Sequence, residues 1–588
     1  MPPFSKVLVA NRGEIAIRVF RSLRELGIET VAVYSQADRG SLHAATADEA
    51  YLIGPGPPAE SYLNQERLLE VAHRAGAEAV HPGYGFLAEN AGFARAVARV
   101  GLVWIGPPPE AIEVMGSKTA ARERMTAAGV PVVPGTTEPV TAAEEVVALG
   151  DELGWPIAIK AAAGGGGKGL RVVHDRAEAE RALESARREG EAYFADPTVY
   201  VERYLEDPRH VEVQVLADSE GNVIHLGERD CTIQRRHQKL VEETPSPAVD
   251  DELRARIGEI AVEAARAVGY RSAGTIEGLL SCEGEYFFLE MNTRIQVEHT
   301  VTEMATGLDL VREQVLIAAG EPLWLRQEDV RLTGHAIECR INAEDPSNGF
   351  LPSPGRITSY REPAGPGVRV DSGVTSGSEI PPLYDPLVAK LVVHDVDRER
   401  ARRRMLRALG EFEVGGITTL LGFHRALLEH PCFTQGATCH GVVESEELAE
   451  RARQLSHVTT TVPAASDGAG LRERSATVEL DGRRYEVKTL VPEPPYAELA
   501  RRRRDRAAGG GHGGPKDAIV TPMQGTVLAV EVADGDEVEA GQVICVVEAM
   551  KMENEITAHR AGVVTELAVE PGQAVTSGQT ICVVNDSD

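Results

Sequence analysis

Two acids placed to face one another are the first sign of chemistry in this chain. Thr275-Ile276-Glu277-Gly278-Leu279-Leu280 and Glu285-Tyr286-Phe287-Phe288-Leu289-Glu290 flank Glu283-Gly284. A two-residue turn there pairs residues whose numbers sum to 567, which sets Glu277 opposite Glu290. Opposed carboxylates in a sheet repel, so the pair needs a proton or cations between them. Oxygen-only ligands suit Mg2+ or Mn2+. Beyond Glu290, the polar residues Asn292, Arg294, Gln296 and Glu298 alternate with Met291, Thr293, Ile295 and Val297. While the chain stays extended, one face carries these acids, the Arg and the amides toward one point. The plainer alternative is a half-exposed strand with ordinary ion pairs.

A second group could hold phosphate. Gly164-Gly165-Gly166-Gly167-Lys168-Gly169 follows the strand-like Ile157-Ala158-Ile159-Lys160. A Gly run lets backbone N–H groups approach phosphate oxygens with no Cβ in the way. It is not a Walker A loop, because Ala162 stands where the first Gly belongs and Gly169 replaces the Ser/Thr that would hold magnesium. Lys160, and Lys118 in Met115-Gly116-Ser117-Lys118, offer two cations to a triphosphate from separate elements. Arg235-Arg236-His237-Gln238-Lys239 and Glu338 to Pro346 are charged runs that also read as plain loops.

Lys551 is the third feature. It sits in Glu548-Ala549-Met550-Lys551-Met552, between two copies of one pattern. Gly525, Val527, Val532, Gly535, Val538, Gly541, Gln542, Ile544, Cys545, Val546 and Val547 recur 37 residues later as Gly562, Val564, Val569, Gly572, Val575, Gly578, Gln579, Ile581, Cys582, Val583 and Val584. Each copy alternates apolar and polar residues broken by Gly, which predicts short strands and tight turns. Neither copy can bury a core alone, so the two should fold against each other as a small pseudo-symmetric β-sandwich. The pentapeptide then caps an edge hairpin, an exposed place for an amine meant to be modified. A solvated lysine in a turn is the plainer alternative.

These groups need elements to position them. Val7 to Ala10 predicts a strand, Ile15 to Leu26 a helix ending at Gly27, and Thr30 to Tyr34 the next strand. That is a doubly wound α/β start over 1–115, and without a Gly-x-Gly-x-x-Gly fingerprint it does not support dinucleotide binding. Residues 116–330 carry the polar motifs, and 331–446 read as an α+β unit with helices near Arg400 to Leu409 and Thr418 to Leu428. A connector over 447–515 holds a charged helical stretch and a hairpin about Asp481-Gly482. It then runs through Arg501 to Arg504 into a Gly509 to Pro515 linker. The all-β unit at 516–586 follows, so the fold class is α/β plus α+β ending in a small β-sandwich.

At 588 residues the chain exceeds one core. Lys and Arg number 61 against 90 Asp and Glu, a net charge of −29 that opposes nucleic-acid and anionic-membrane binding. It leaves nucleotide binding open, which needs only local positive charge. With no leader and no uncharged apolar stretch long enough to span a membrane, the expected location is cytoplasmic. Seven cysteines, none in a Cys-x-x-Cys pair, predict reduced core thiols and no structural metal.

Over 1–446 the chain resembles a biotin carboxylase of the ATP-grasp superfamily. The stretches that carry the resemblance are Ala10 to Ala16, His81 to Asn90, Arg235 to Lys239, Glu290 to His299 and Glu338 to Pro346. The repeat around Met550-Lys551-Met552 resembles a biotinyl carrier domain, with Lys551 as the biotinylated residue. The resemblance implies an N-terminal α/β domain (1–115), an ATP-grasp domain (116–330) with a mobile lid at about 130–205, and a C-terminal domain (331–446). It implies that Lys118, Lys160, Gly166 and Gly167 meet ATP phosphates, that Glu202 and Leu205 meet the adenine edge, and that His210 and His237 make further nucleotide contacts. Glu277 and Glu290, with Asn292 nearby, match metal ligands for Mg2+ or Mn2+. Lys239, Arg294, Val297 and Arg340 match the bicarbonate and biotin pocket, and Glu298 the general base. Arg203 stands where a Lys is common.

The implied chemistry is ATP-dependent carboxylation of carrier-bound biotin. Glu298 takes the proton of bicarbonate, which attacks the γ-phosphoryl of ATP to give carboxyphosphate, while Lys118, Lys160 and Lys239 spread the transferred charge. Release of CO2 and phosphate lets biotin be carboxylated, with Arg294 and Arg340 on its ureido oxygen. The chain has no recognisable carboxyltransferase, so a separate β subunit should accept the carboxyl group in a hetero-oligomer, and a biotin protein ligase should modify Lys551. Bacterial acyl-CoA carboxylases are the expected setting, with acetyl-CoA or propionyl-CoA as acceptor and pyruvate as the alternative. An ATP-grasp ligase for amino acids, or a lipoylated carrier, competes with this reading; avidin blotting separates them.

Overall fold

The computed structural model describes residues 2–136, 138–161, 170–194, 197–236, 238–456, 471–480, 483–492, 518–549 and 552–585. Gly166, Gly167, His237, Lys551, Arg501 to Arg504 and the Gly509 to Pro515 linker lie outside the described residues.

The chain opens with five parallel strands, Lys6–Val9 (β1), Glu29–Ser35 (β2), Glu49–Gly54 (β3), Ala79–His81 (β4) and Val103–Trp104 (β5), in the order β3-β2-β1-β4-β5. The order reverses between β1 and β4, where α/β sheets leave a crevice at the strand ends. Asn11 closes it, its Nδ2 donating to Pro82 O and Tyr84 O, each at 2.7 Å. Gly83 lies there at φ +64°, and a Cβ on it would stand 2.9 Å from Asn11 Nδ2. Much of the Asn11 and His81–Gly83 signature is therefore a backbone clamp.

Next comes a small antiparallel sheet of Ile157–Ala161 (β6), Leu170–Val173 (β7) and Val199–Arg203 (β8), in the order β7-β6-β8. Val146, Ile157, Ile159, Val173, Leu183, Ala186, Val199 and Val201 form its own core. A segment with a separate core can move as a body, the physical requirement for a lid.

The central feature is an eight-stranded antiparallel sheet. Its strands are Arg209–Ala217 (β9), Val223–Arg235 (β10), Gln238–Thr244 (β11), Ser272–Leu280 (β12), Tyr286–Asn292 (β13), His335–Asn342 (β14), Val368–Ser372 (β15) and Leu387–Asp395 (β16). They run in the order β13-β12-β9-β10-β11-β14-β16-β15. One sheet thus joins 116–330 to 331–446, through the pairing of β11 with β14.

The hairpin at Glu277 differs in detail from expectation. Near the turn, Leu280 pairs with Tyr286 and Gly278 with Phe288, so the loop is not the two-residue turn the arithmetic assumed. A bulge at the exposed Leu289 then shifts the register, and Glu277 pairs with Glu290 after all. Extended structure ends at Asn292; residues 293–298 turn and lead into the helix His299–Thr306.

The cysteine expectation needs correction. Cys432 and Cys439 are joined by a disulfide, because a short helix at Pro431–Thr434 and the turn after it bring their Cα atoms to 5.5 Å. Cys282 is exposed in the hairpin turn, while Cys231, Cys339, Cys545 and Cys582 are buried thiols.

In the connector, Leu471–Leu480 pairs antiparallel with Arg483–Pro492. The C-terminal repeat forms two four-stranded sheets. The copies exchange strands: Glu537–Val538 of the first pairs with Gly562–Thr565 of the second, and Ala574–Val575 of the second pairs with Gly525–Val530 of the first. Gly525 and Gly562 are equivalent close approaches, where a Cβ would meet Glu548 O at 2.4 Å and Asn585 O at 2.2 Å. Ala549 pairs with Met552 at the edge of its sheet, and the predicted position of Lys551 lies outside the described residues.

Candidate active site

Strand pairing builds the site as a ladder of charge. Across β10, β9, β12 and β13, Arg229 pairs with Glu212, Glu212 with Glu277, and Glu277 with Glu290. Three carboxylates in a row would repel, and cations reach in to hold them. Arg229 is fully buried; its Nε donates to Glu212 at 2.5 Å, and its terminal nitrogens to Gln214, Thr302 and Thr275 at 2.7–3.0 Å. Lys239 projects from β11 and donates to Glu212, Glu298 and Glu277 at 2.5, 2.7 and 2.9 Å. His210 Nε2 stands 2.8 Å from Glu277.

The residues after Asn292 converge without being a strand. Asn292 Nδ2 and Gln296 Nε2 both donate to Glu277 Oε1 at 2.7 Å. Arg294 donates to Asn292 Oδ1 and Gln296 Oε1, each at 2.7 Å, and to Glu89 at 2.9 Å. The Val297 carbonyl accepts from the buried Lys390 at 3.0 Å, and Lys390 lies 3.2 Å from Glu14. Glu298 is fully buried at the start of the helix His299–Thr306, between Lys239 and Arg340, the latter at 2.9 Å.

Burial opposes the charge on Glu298, but Lys239, Arg340 and Arg229 outweigh it and hold its carboxyl well below the ordinary range. Glu277 is depressed in the same way: burial works against its charge, and Lys239 and His210 prevail. Glu290 differs. It is solvent-exposed, yet desolvation at the sheet edge and the Glu277 charge raise its carboxyl, with Lys118 the main opposing cation. An oxygen-rich edge whose outer acid is raised by desolvation and its neighbour's charge fits a hard divalent cation. Lys118 opens the helix Lys118–Ala127. On the lid side Lys160 contacts Glu202, which also accepts from Arg122 at 2.8 Å. Leu205 packs with Val133, Phe287 and Leu279, an apolar floor beside these charges.

Four family models match the chain in turn. They are the biotin carboxylase N-terminal domain (3–112), the ATP-binding domain of the carbamoyl-phosphate synthase L chain (117–326), the biotin carboxylase C-terminal domain (338–445) and a biotin-requiring enzyme domain (517–584). The chain is 55% identical to a pyruvate carboxylase subunit of Methanothermobacter thermautotrophicus, over 74% of this chain and 88% of the relative. It is 46% identical to the biotin-dependent acyl-coenzyme A carboxylase alpha3 subunit of Mycobacterium leprae, over 95% of both chains. The chain belongs to the biotin carboxylase family. It is a ligase-type enzyme that also carries its own biotin-requiring domain. The biotin carboxylase domain dimer of Hydrogenobacter thermophilus 2-oxoglutarate carboxylase, solved with MgADP, ADP and bicarbonate, superposes with a TM-score of 0.69. It is 48% identical and covers 75% of this chain and 99% of that one.

In this carboxylase the fold gathers Glu277, Glu290, Asn292, Arg294, Val297, Glu298, Lys239, His210 and Arg340 around one network. Lys118 acts on Glu290, Leu205 packs against Leu279 and Phe287 of β12 and β13, and Lys160 contacts Glu202 on the small sheet. Sequence reasoning gave no role to Glu212, Arg229, Glu89, Lys390 or Arg122, which hold the named residues in place. The alternation Val211-Glu212-Val213-Gln214-Val215 marks Glu212 as a polar residue on a buried strand. That alternation was the one available signal. Among the described residues, no helix is long and apolar enough to cross a membrane.

Proposed function

We propose that this chain uses ATP and bicarbonate to carboxylate biotin on its own Lys551, and hands the carboxyl group to a separate carboxyltransferase subunit whose acceptor is acetyl-CoA or propionyl-CoA. The observation that carries the acyl-CoA reading is that likeness to the acyl-CoA carboxylase alpha3 chain runs over 95% of both chains, through carboxylase and carrier alike. Likeness to the pyruvate carboxylase relative stops at 74% of this chain.

In this reading Lys118 and Lys160, with Gly166 and Gly167, hold the ATP phosphates, Glu202 and Leu205 border the adenine, and His210 and His237 make further nucleotide contacts. Glu277 and Glu290, with Asn292, would hold a divalent cation, which would supply charge neutralisation for the phosphoryl group. Glu298 is ionised, as a base must be, but its depressed pKa makes it a weak one while Lys239 and Arg340 both grip it. Bicarbonate entering beside Lys239, Arg294 and the Val297 backbone takes over part of that cationic charge. Glu298 then becomes more basic at the moment it must accept a proton. Arg294 is aimed by Glu89, and Arg340 stands ready for the negative charge that develops on the biotin ureido oxygen. A cytoplasmic enzyme, working with a β subunit in a hetero-oligomer and modified by a biotin protein ligase, completes the reading.

The test is to purify the biotinylated chain with the subunit that accompanies it and follow labelled bicarbonate into acetyl-CoA, propionyl-CoA and pyruvate. Label in either acyl-CoA is expected; label in pyruvate alone would refute the acceptor assignment.

A further inference from the structure

A second pair of facing acids lies behind the first. β11 and β14 pair with Glu242 directly opposite Glu338, and both side chains are fully buried. Glu242 Oε1 accepts from Arg340 Nε at 2.6 Å, and Glu338 accepts from the Thr300 hydroxyl. Each acid leaves one buried oxygen with no partner, Oε2 of Glu242 and Oε1 of Glu338. Two buried carboxylates in register cannot both stay ionised without compensating charge. The groups facing them do not provide enough. Arg340 is shared between Glu242 and Glu298. Lys239 is engaged with Glu212, Glu277 and Glu298. Lys390, from β16, acts on Glu338 but pairs with Glu14. The thiols of Cys231 and Cys339 complete the surroundings, and both are held protonated by burial.

We propose that Glu242 is a positioning residue for Arg340, and that the Glu242–Glu338 pair shares one proton whose place decides how firmly Arg340 is held back from substrate. The proposal rests on the biotin carboxylase reading above. Arg340 has five N–H donors. Its Nε is held by Glu242 and one terminal nitrogen by Glu298. With the shared proton on Glu338, Glu242 is anionic and grips the guanidinium. With the proton on Glu242 the grip loosens, and Arg340 can turn its charge to the ureido oxygen. Burial raises both carboxyls; at Glu338 the Glu242 charge adds to it, and at Glu242 the Glu298 charge adds while Arg340 opposes. The pair therefore titrates as a unit, above the ordinary carboxylate range.

Glu242→Gln and Glu338→Gln test this in the full chain. Two rates are followed across pH: carboxylation of free biotin, and bicarbonate-dependent ATP cleavage without biotin. Wild-type biotin carboxylation should show an ionisation above the usual carboxylate range, and Glu338→Gln should remove it by leaving Glu242 ionised throughout. With Glu242 ionised throughout, Glu338→Gln should lower biotin carboxylation about tenfold while biotin-independent ATP cleavage changes by less than about threefold, as expected when one charge-assisted hydrogen bond keeps Arg340 from the ureido oxygen; Glu242→Gln, which mimics the protonated acid, should show no such selective loss and no such ionisation. Equal loss in both reactions, or an unchanged pH profile in folded Glu338→Gln, would overturn the proposal. So would loss of the fold in both variants by circular dichroism, because removing one of two like charges relieves repulsion. A wild-type chain with no biotin-dependent turnover would instead bring down the functional reading and the proposal with it.

Discussion

Replacing Lys239 by Gln takes away a cation that three buried acids share. Its Nζ lies 2.5, 2.9 and 2.7 Å from Glu212, Glu277 and Glu298. Each acid keeps one other basic partner, Arg229, His210 and Arg340 respectively, and Glu277 also keeps Asn292 and Gln296. Stripping a buried charge of its partner costs about 3–5 kcal/mol, and the remaining partners place this variant near the lower end, about 3 kcal/mol. For a cooperative unit of roughly 150–250 residues, that lowers Tm by about 6–12 °C. The pH dependence carries a sign. In the wild type, Glu277 and Glu298 have depressed pKa values, so their contribution is present above the unfolded value of 4.5 and fades only as pH falls through the folded values. Between about pH 8 and 6 this cluster adds no slope. In Lys239→Gln burial prevails at one acid, whose folded pKa then exceeds the unfolded one. The variant should gain stability as pH falls from about 8 to 6. Scanning calorimetry of the full chain at several pH values measures both effects. Bicarbonate-dependent ATP cleavage should fall about 100-fold or more in parallel. A Tm within about 2 °C of wild type, or a loss that does not shrink as pH falls, would refute the reasoning.

Other outcomes follow from the same electrostatics and from the repeat. Glu290→Gln relieves repulsion with Glu277, so thermal stability should be unchanged or slightly higher, while metal-dependent turnover falls about 100-fold; titration of activity against Mg2+ or Mn2+ checks this, and a normal rate with unchanged metal dependence contradicts the ligand role. Lys551→Ala should lose avidin binding and the single mass increment gained on co-expression with a biotin ligase, and retained avidin binding would place the modification elsewhere.

How much of the site was legible depended on how local each pairing is. Glu277 opposite Glu290 could be read because both flank one short turn, although the pairing survives only through the bulge at Leu289. That bulge could not be read: Leu289 looks like any apolar strand residue, and only the paired backbone shows it outside the ladder. The convergence of Asn292, Arg294, Gln296 and Glu298 was expected on an extended strand. It arises instead from turns, with Glu277 as a shared acceptor for Asn292 and Gln296. The paired Cys432 and Cys439 were hidden for a related reason, since spacing alone does not say that a helix and turn bring them together.

By itself the sequence determined the carrier. A repeat offset by 37 residues is self-referential, so each copy specifies its partner without help from the rest of the chain. It also put forward the candidate groups of the other site, its opposed acids, two lysines and Gly run. Tertiary structure alone decided who supports them. Glu212 and Arg229 join the acid ladder because β9 enters the sheet between β12 and β10. Glu89 reaches Arg294 from the N-terminal domain, and Lys390 reaches Val297 from β16. Electrostatic support acts over a few ångströms through space and takes no account of distance along the chain. No local pattern records it until the strands are in order.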